Sequence, residues 1–566
     1  MSHEYNGFDG IDRTPHSGGL TDIVNFRLMA DKTLKLREAA VRLTSLKDRP
    51  RAHYVCDSEN LLILSGSRVY YLNLSDLSQK EIGTVLASEG DAQFICYNGK
   101  ILLLDGDSFY VCGENGLYPV NGYAPLYGKG WHPVFKGRIH QNLNLLSRHY
   151  RLSYDINENN PTIFNLDVRS DRINAAYVNG IRANESKLTI SDDGLSVSCE
   201  LLLAAGSELT LYITAASYPP YRDEFKSCTA AETFGEIDNR GADVSSIVFC
   251  RGSNPSTVFS TRRIEKSDFD DAKLEYPNMM PIYVTRSDMM TVGNGKSPVT
   301  AMCKRGGKLL VFTPDNAYVM TEAGDSSSLV HLSSAGGCSI SGAATAMGEY
   351  PITVSESGIL KWSPVRYDSN EYVASCISLP IAGLPQPSFY TSAVVYNFKR
   401  KNEIWFTDPS SDDKRVFIYN SLLDIWYSFN GISADSFFDT GSLRGFFCEN
   451  DIYVFDETSF FDNSGITPTP IIGKIVTGRI NFGSFDCKKR LYKLALRTMQ
   501  NCSLISEITD ASGKSIRMLS SDTAGEQSGY IEQRVPAARS RYYTIAITNI
   551  PGKNSAISGM SLSATR

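Results

Sequence analysis

The sequence has no long hydrophobic run. No stretch approaches the ~18 consecutive apolar residues of a membrane-spanning helix, and the polar N-terminus lacks the apolar segment of a secretory signal. The 12 cysteines are scattered without a C-x-x-C pair, a usage typical of reduced thiols buried as small hydrophobic side chains. These absences predict a chain that is made in a cytoplasm and has no membrane-spanning segment.

Catalytic motifs are also missing. The chain has only seven histidines, and none shows the H-E-x-x-H pattern or another zinc-site spacing. The segment VGNGKSP ends like a phosphate-binding loop, but Met290 stands where that loop needs its first glycine. Paired carboxylates such as Asp412 and Asp413 fall in a turn, which is typical of solvated surface charges. We therefore predict no catalytic residue, no metal ligand and no cofactor, and we expect that the protein is not an enzyme.

Neither sign of charge dominates. The chain carries 62 acidic and 56 basic residues, a formal net charge of −6, and these residues are spread along its length. We therefore expect no basic domain or arm of the kind that binds the phosphate backbone. Groove-reading DNA recognition is excluded on the same ground.

Aromatic, glycine and proline residues are plentiful, with 30 Tyr, 26 Phe, 44 Gly and 23 Pro. This composition favours many short strands joined by turns over long helices. It predicts a mainly β fold.

A weak internal repeat indicates which β architecture to expect. An apolar strand, a short polar turn and a second apolar strand recur at spacings of roughly 40–50 residues, the length of one four-stranded propeller blade. We predict a β-propeller of about six to seven blades, and a row of separate β-sandwiches is the alternative. The repeated units are Asn60–Leu74, Asn98–Cys112, Gly306–Met320, Tyr350–Trp362, Asn402–Asn420 and Cys448–Thr458.

Changes of pattern divide the chain into five predicted segments. Hairpin turns at Asn179-Gly180 and Asp193-Gly194 interrupt the repeat and indicate an inserted β-sandwich. The Thr-Pro-Thr-Pro run at 467–470 indicates an exit into a last domain. The segments are an N-terminal arm or hairpin (1–45), the first part of the propeller (46–150), the inserted β-sandwich with its return linker (151–246), the second part of the propeller (247–466) and a C-terminal β-sandwich (467–566).

Several stretches together resemble a known class of proteins. The opening pattern combines Gly18-Gly19, Asn25-Phe26-Arg27, Leu34 and Arg37, and further blocks are residues 249–320, residues 402–429 and TGRINFGSFDCKKRLYKL from Thr477. In this order they resemble virion proteins of tailed bacteriophages, the group that includes tail nozzle, hub and DNA-stabilisation proteins. Glu38 stands where many of those chains have a glycine after the last arginine.

The resemblance implies a structural role. It implies a homo-oligomeric ring of six copies in the tail or portal-proximal neck of a virion, around the channel through which DNA is ejected. Its partners would be further copies of itself, neighbouring portal, adaptor or tail proteins and, through transient non-specific contact, the exiting DNA. The protein would be made in the host bacterial cytoplasm. A glycan- or receptor-binding propeller protein of the tail tip, or a propeller glycosidase, is the alternative.

Two groups of residues are the candidate subunit contacts. The N-terminal arm would add a strand to a neighbouring subunit, and its deletion would leave a folded propeller. The alternative is that its apolar residues pack on their own chain. For the basic cluster, a subunit contact or DNA-facing role is weighed against a solvated strand entry. The candidates are Phe26, Arg27, Leu28, Leu34, Leu36 and Arg37 in the arm, and Lys488, Lys489 and Arg490 in the cluster.

Overall fold

The protein is mainly β, as its composition predicts. In the part of the chain that the structure describes, no helix is long and apolar enough to cross a membrane. The computed structural model describes residues 1–13, 19–114, 116–235, 246–323, 326–333, 336–348, 350–366, 371–463, 467–484, 486–498, 503–521, 529–536 and 539–565. Gly18 of the opening pattern and residues 236–245 of the predicted return linker lie outside these ranges.

Five short strands open the chain. Asn25 sits between the second and third in the left-handed region, with φ +56°, which asparagine tolerates better than most residues. The strands are β1 (Ser2–Tyr5), β2 (Leu20–Val24), β3 (Phe26–Leu28), β4 (Leu34–Leu36) and β5 (Ala39–Ser45).

Among the described residues, six four-stranded antiparallel sheets stand alone, and a further set of four antiparallel strands forms one end of a nine-stranded sheet; in chain order we call these the first to seventh sheets. The first two follow the opening strands. Asn98 and Gly99 both have positive φ at the first turn of the second sheet, as a tight two-residue hairpin requires. The first sheet is β6 (Pro50–Val55), β7 (Asn60–Ser65), β8 (Arg68–Asn73) and β9 (Gln79–Thr84), and the second is β10 (Gln93–Tyr97), β11 (Lys100–Leu104), β12 (Phe109–Gly113) and β13 (Gly116–Pro119).

An insertion then forms two sheets with their own hydrophobic core, in the orders β14-β15-β21-β17-β18 and β16-β20-β19. The predicted hairpin turn at Asn179-Gly180 is confirmed between β17 and β18. The inserted sheets begin at Leu126, earlier than the predicted start at residue 151, and they end at Ala215; the predicted segment 151–246 included the return linker after them. Its strands are β14 (Leu126–Trp131), β15 (His149–Asp155), β16 (Ile163–Asn165), β17 (Ser170–Val178), β18 (Ile181–Arg182), β19 (Leu188–Ile190), β20 (Ser196–Cys199) and β21 (Glu208–Ala215).

The third, fourth and fifth sheets repeat the same up-and-down order. Residues 230–234, predicted to belong to the return linker, form the first strand of the third sheet. The strands are β22 (Ala230–Phe234), β23 (Ser246–Cys250), β24 (Thr257–Ser260) and β25 (Met289–Thr291); β26 (Ala301–Arg305), β27 (Lys308–Phe312), β28 (Ala317–Ala323) and β29 (Ser326–Ser333); β30 (Ala344–Met347), β31 (Tyr350–Ser355), β32 (Gly358–Pro364) and β33 (Tyr372–Cys376).

The sixth and seventh sheets involve both ends of the chain. The seventh takes its fourth strand from β5, which pairs with β40. The strands are β34 (Val394–Phe398), β35 (Glu403–Thr407), β36 (Arg415–Asn420) and β37 (Ile425–Asn430) in the sixth sheet, and β38 (Ser436–Asp439), β39 (Arg444–Cys448) and β40 (Asp451–Asp456) in the seventh.

Helices are few and short among the described residues. Helix α2 packs beside the inserted sheets, where Arg151 donates to the Asp268 carbonyl. The helices are α1 (Arg222–Lys226), α2 (Lys266–Lys273) and α3 (Phe389–Ser392), and the 3₁₀ turns are Glu185–Lys187, Arg286–Asp288, Leu379–Ile381 and Lys399–Lys401.

The last strands build two sheets that share a core. One has the order β3-β4-β50-β44-β47, and we call it the C-terminal sheet; the other continues the sixth sheet through β2 into β43-β49-β45-β46. Leu494 and Leu562 of the C-terminal sheet belong to the same buried cluster as Ile545 of the other sheet. The strands are β41 (Phe461–Asp462), β42 (Thr469–Pro470), β43 (Lys474–Thr477), β44 (Lys489–Thr498), β45 (Ser503–Asp510), β46 (Ser515–Ser521), β47 (Gly529–Arg534), β48 (Arg539–Ser540), β49 (Tyr543–Asn549) and β50 (Ala556–Thr565).

The N-terminal residues do not form a separate arm, so that prediction is wrong. Strand β2 lies between β37 and β43, the β3–β4 hairpin pairs with β50, and β5 pairs with β40. The reason is physical: each of these strands carries apolar residues that are buried only when it joins a sheet formed later in the chain.

Neighbouring sheets pack on each other's faces. Leu61 and Ile63 of β7 contact a cluster that includes Phe438 of the seventh sheet, whereas Leu62 and Leu64 face the second sheet. Because successive residues of a strand point to opposite faces, β7 is buried on both sides. The first strands of consecutive sheets also contact each other in order, from β6 through β10, β22, β26, β30 and β34 to β38.

Candidate functional site: a buried charge network at the N-terminal hairpin

Arg37, which follows β4, is the most fully bonded side chain of the N-terminal segment. Its two terminal nitrogens donate to the Asp462 carboxylate at 2.9 and 2.5 Å. They also donate to the carbonyls of Glu38 and Asn430 at 2.8 and 2.9 Å. Its Nε donates to Asn25 Oδ1 at 2.9 Å. All five N–H donors of the guanidinium are therefore used, and the side chain is almost completely buried.

Asn25 connects this arginine to the sixth sheet. Its Oδ1 accepts a second hydrogen bond from the Asn430 backbone N–H at 2.8 Å, and its Nδ2 donates to the Ile472 carbonyl at 2.9 Å. Its own backbone N–H donates to the Ser428 carbonyl. The side-chain amide of Asn25 thus bonds to three separate residues, Arg37, Asn430 and Ile472.

Glu38 is the acidic centre of the network. Its carboxylate accepts from Arg27 Nη2 and Lys401 Nζ, both at 2.8 Å, and from Arg444 Nη2 at 3.1 Å. Burial by itself would raise the pKa of Glu38, but the charges of these three cations outweigh it and hold that pKa well below its usual range. Glu38 is therefore an ionised counter-ion at neutral pH.

Glu403 is a second carboxylate in contact with Arg27. Glu403 of β35 accepts from Tyr427 Oη at 2.7 Å and from Trp405 Nε1 at 2.9 Å, and its Oε1 lies 3.3 Å from Arg27 Nη1. Burial raises the pKa of Tyr427, and the neighbouring Glu403 charge raises it further. The phenol therefore stays protonated and keeps donating to Glu403.

These contacts tie four parts of the chain together. The network comprises Arg27, Arg37 and Glu38 of the N-terminal segment, Lys401 and Glu403 at the sixth sheet, Arg444 of the seventh sheet, and Asp462, which follows the seventh sheet in the chain. A carboxylate held ionised by several cations, as Glu38 is, is a poor proton donor. The arrangement is suited to fixing the hairpin in place.

The predicted arm residues lie at this junction, but they face inward. Phe26, Leu28, Leu34 and Leu36 are at most 5% exposed and pack in the main core. The prediction that they contact another subunit is wrong in this structure, because their surfaces are already covered by the same chain. Their alternative interpretation, packing on their own chain, is what the structure shows. Arg27 and Arg37 are likewise committed to internal partners.

The predicted basic cluster divides into buried and exposed members. Lys489 is fully buried, and its Nζ donates to the carbonyls of Asn481 and Ser484, so a subunit-contact or DNA-facing role for it is wrong. Lys488 and Arg490 are exposed. The alternation follows from strand geometry, since Lys489 lies on the core side of β44 and Arg490 on the opposite side.

Sequence reasoning missed most of the network. Glu38 gave one usable signal, because a charged residue replaces the small residue that many resembling chains have at that position. Lys401 lies in the 3₁₀ turn before β35, Glu403 in β35, Arg444 in β39 and Asp462 in β41, and none of them gives a local signal in the sequence. Their proximity depends on the sheet order.

Two of the buried cysteines are poorly suited to thiol chemistry. Burial raises the pKa values of the Cys250 and Cys303 thiols to about 12, so neither is a ready nucleophile. No group of three or more His, Cys, Asp or Glu in the described part of the chain has the geometry to hold a metal ion.

Comparisons with known proteins give no family. No protein-family profile and no curated protein matches the sequence. Among solved structures, BBS1N in complex with ARL6DN is similar over 75% of this chain and 97% of that chain, with 9% identity and a TM-score of 0.26. The Saccharomyces cerevisiae core factor is similar over 57% of each chain, with 8% identity and a TM-score of 0.26. At these scores neither likeness bears on fold or function.

Proposed function

We propose that this protein is a structural component of a bacteriophage virion. It assembles into a homo-oligomeric ring of six copies in the tail or portal-proximal neck, around the channel through which DNA is ejected. The observation that carries the proposal is the position of the phage-like residues. Asn25, Arg27 and Arg37 belong to the motif that resembles phage proteins, and all three make buried contacts that hold the N-terminal hairpin against the rest of the chain.

The proposed architecture is a seven-bladed β-propeller. The seven four-stranded sheets are its blades, and β5 completes the last blade. Contacts between the first and seventh sheets support closure: His53 Nε2 of β6 lies 3.0 Å from the Phe437 carbonyl of β38, and Arg49 pairs with Asp435 at 2.6 Å. A strand from one terminus that completes the last blade holds a propeller shut, because opening it would expose unpaired backbone groups. The insertion and the C-terminal sheets are β-sandwiches attached to this propeller.

The charge of the propeller region suits a DNA conduit. Residues 1–473 contain 42 basic and 56 acidic residues, a formal charge of −14. An acidic wall repels the phosphate backbone and lets DNA slide past without tight contacts. The buried junction would keep each subunit rigid while DNA passes.

Electron cryo-microscopy of virions purified from cells that make this protein tests the proposal. We expect a ring of cyclic symmetry on the tail axis, with density that fits the seven sheets. Absence of the chain from particles would refute the proposal. Specific glycan binding by the purified protein, without incorporation into particles, would favour the receptor-binding alternative.

A further inference from the structure

Charge is strongly segregated along the chain, and the expectation of an even distribution is wrong. Residues 474–566 contain fourteen lysines and arginines against six aspartates and glutamates, a formal charge of +8. Such asymmetry within one protein is typical of a segment with an anionic partner. The overall charge of −6 hides it.

The strand register collects many of these cations on one surface. Directly paired residues of antiparallel strands share a face. Arg490 pairs with Arg539 and Thr565, and Lys493 pairs with Arg534. Further along the same strand, and on the same face as Lys493, Arg497 pairs with Tyr530. All these residues lie on the side of the C-terminal sheet opposite its core, where Leu491, Leu494 and Leu496 are buried. We call this surface the basic face; its members are Arg490, Tyr492, Lys493, Arg497, Tyr530, Arg534 and Arg539. The acidic Glu532 and Glu4 lie on the same side of the sheet.

Like charges opposite each other are unfavourable without counter-ions. Paired residues on neighbouring strands have Cβ atoms about 4.5–5.5 Å apart, a distance at which two arginines repel. Glu532 lies 2.7 Å from Lys493 and neutralises it. Arg490 and Arg539 place two positive charges opposite each other, within reach of one phosphate group.

Exposed aromatic rings lie among the cations. Tyr492 is 45% exposed and Tyr530 is 59% exposed, although tyrosine normally buries much of its ring. A sheet surface that displays aromatic rings between arginines is suited to stacking unpaired bases while the cations contact the phosphates. Duplex DNA offers no unpaired base to such rings.

A cavity at the edge of the basic face provides room for a phosphate. It has a volume of about 390 Å³, and its lining includes Arg490, Arg539 and Lys514 together with Asp510. Asp510 Oδ1 is already engaged by the Ser512 and Lys514 backbone N–H groups within its own turn. The cavity therefore has an excess of positive charge.

We propose that the basic face binds single-stranded nucleic acid without sequence preference, through phosphate contacts to its arginines and base stacking on Tyr492 and Tyr530. The inference does not depend on a ring or on a virion location, because it concerns a surface of the isolated chain.

The test measures binding of the full-length protein to a labelled DNA strand of about 30 nucleotides, longer than the ~4–16-nucleotide sites of single-strand-binding domains. The double variant Arg490→Glu with Arg539→Glu should weaken binding more than about tenfold and make the slope of log K against log salt shallower by about 1.4. The matched control, Lys80→Glu with Lys100→Glu, makes the same change in net charge at exposed lysines of the first and second sheets and should bind like the wild type.

Base stacking on the tyrosines is tested separately, with a tyrosine elsewhere on the surface as the control. Tyr492→Ala and Tyr530→Ala should each weaken binding roughly tenfold, whereas Tyr118→Ala, at a tyrosine 58% exposed on the second sheet, should have no effect. Unchanged thermal unfolding would show that the variants are folded. The proposal is overturned if the wild type does not bind, if duplex DNA of equal length binds as tightly, or if the arginine variant binds normally. It is equally overturned if that variant changes only the sedimentation mass, because the face would then join two copies of this chain.

Discussion

At the scale of single residues, Glu38 decides the stability of the junction. It neutralises three cations that other parts of the chain bring together. A buried ion network contributes little over an apolar alternative, but removing one partner leaves uncompensated buried charge. The glutamate at this position therefore has a structural role.

Substitution of Glu38 by glutamine should lower the free energy of unfolding by about 3–5 kcal/mol. Glutamine keeps the shape but leaves Arg27, Lys401 and Arg444 without their shared counter-charge. Chemical denaturation followed by tryptophan fluorescence measures the change.

The stability that Glu38 contributes should depend on pH. Because its folded-state pKa is lowered, this contribution to the free energy of unfolding is complete above the unfolded-state pKa of about 4.3 and is lost progressively as the pH falls below that value. The difference between wild type and variant should therefore shrink as the pH falls below about 4.

An exposed ion pair provides the control. Lys32 Nζ lies 2.6 Å from Asp9, but the two side chains are 56% and 81% exposed. Asp9→Asn should change stability by less than about 0.5 kcal/mol. A similar effect of both substitutions would mean that the Glu38 network contributes no more than a surface pair.

At the scale of elements, the N-terminal hairpin is an internal part of two sheets. The Gly-Gly turn, the triplet Asn25-Phe26-Arg27 and the apolar alternation were sufficient to predict a hairpin. They could not predict its partner, because β50 lies about 500 residues away in sequence and pairing depends on the order of all intervening sheets. An exposed arm and a buried hairpin have the same local sequence pattern.

Replacing Phe26 by alanine should therefore destabilise the protein by about 3–5 kcal/mol, through lost burial and the cavity left behind. Phe26 is fully buried in the core shared by the hairpin and the C-terminal strands. Thermal unfolding measures the effect. Deletion of residues 1–45 should prevent folding, because the seventh sheet would lose β5 and the sixth would lose β2.

Phe135→Ala is the matched control, since this phenylalanine is 82% exposed in the insertion. Its substitution should leave the unfolding temperature unchanged. A soluble, cooperatively folded protein lacking residues 1–45 would contradict the internal role of the hairpin and restore the arm.

At the scale of the whole molecule, local repeats predicted more than long-range order did. The hairpin units around Asn60–Leu74 and Gly306–Met320 are confirmed as pairs of neighbouring strands. The insertion was recognised from its turns, but its first strand was assigned to the body, because β14 pairs in parallel with β15 across a long loop and leaves no hairpin signature. The basic face leaves no local signal in the sequence, because its charges are far apart along the chain and only the pairing of β44 with β47 and β48 brings them together.

The acidic region, residues 1–473, and the basic face would have different roles under the two proposals. The acidic body suits a wall along which nucleic acid slides, and the basic face suits a surface that holds it. Both can belong to one subunit only if they point in different directions. The basic face lies on the C-terminal sheet, which the seven sheets do not include.

The continuous sheet that joins the body to the C-terminal strands predicts how the molecule unfolds. Strand β2 is hydrogen-bonded to β37 of the sixth sheet on one side and to β43 on the other. Separating the C-terminal strands would break this ladder and expose the shared core, so both regions should open in one cooperative step. Hydrogen exchange measured by mass spectrometry across a denaturant series tests this. Peptides that cover Leu20–Val24, Ile425–Asn430 and Lys474–Thr477 should lose protection at the same denaturant concentration. Loss of protection in the last peptide well before the other two would show that the C-terminal strands are an independent unit and that β2 is held by the sixth sheet alone.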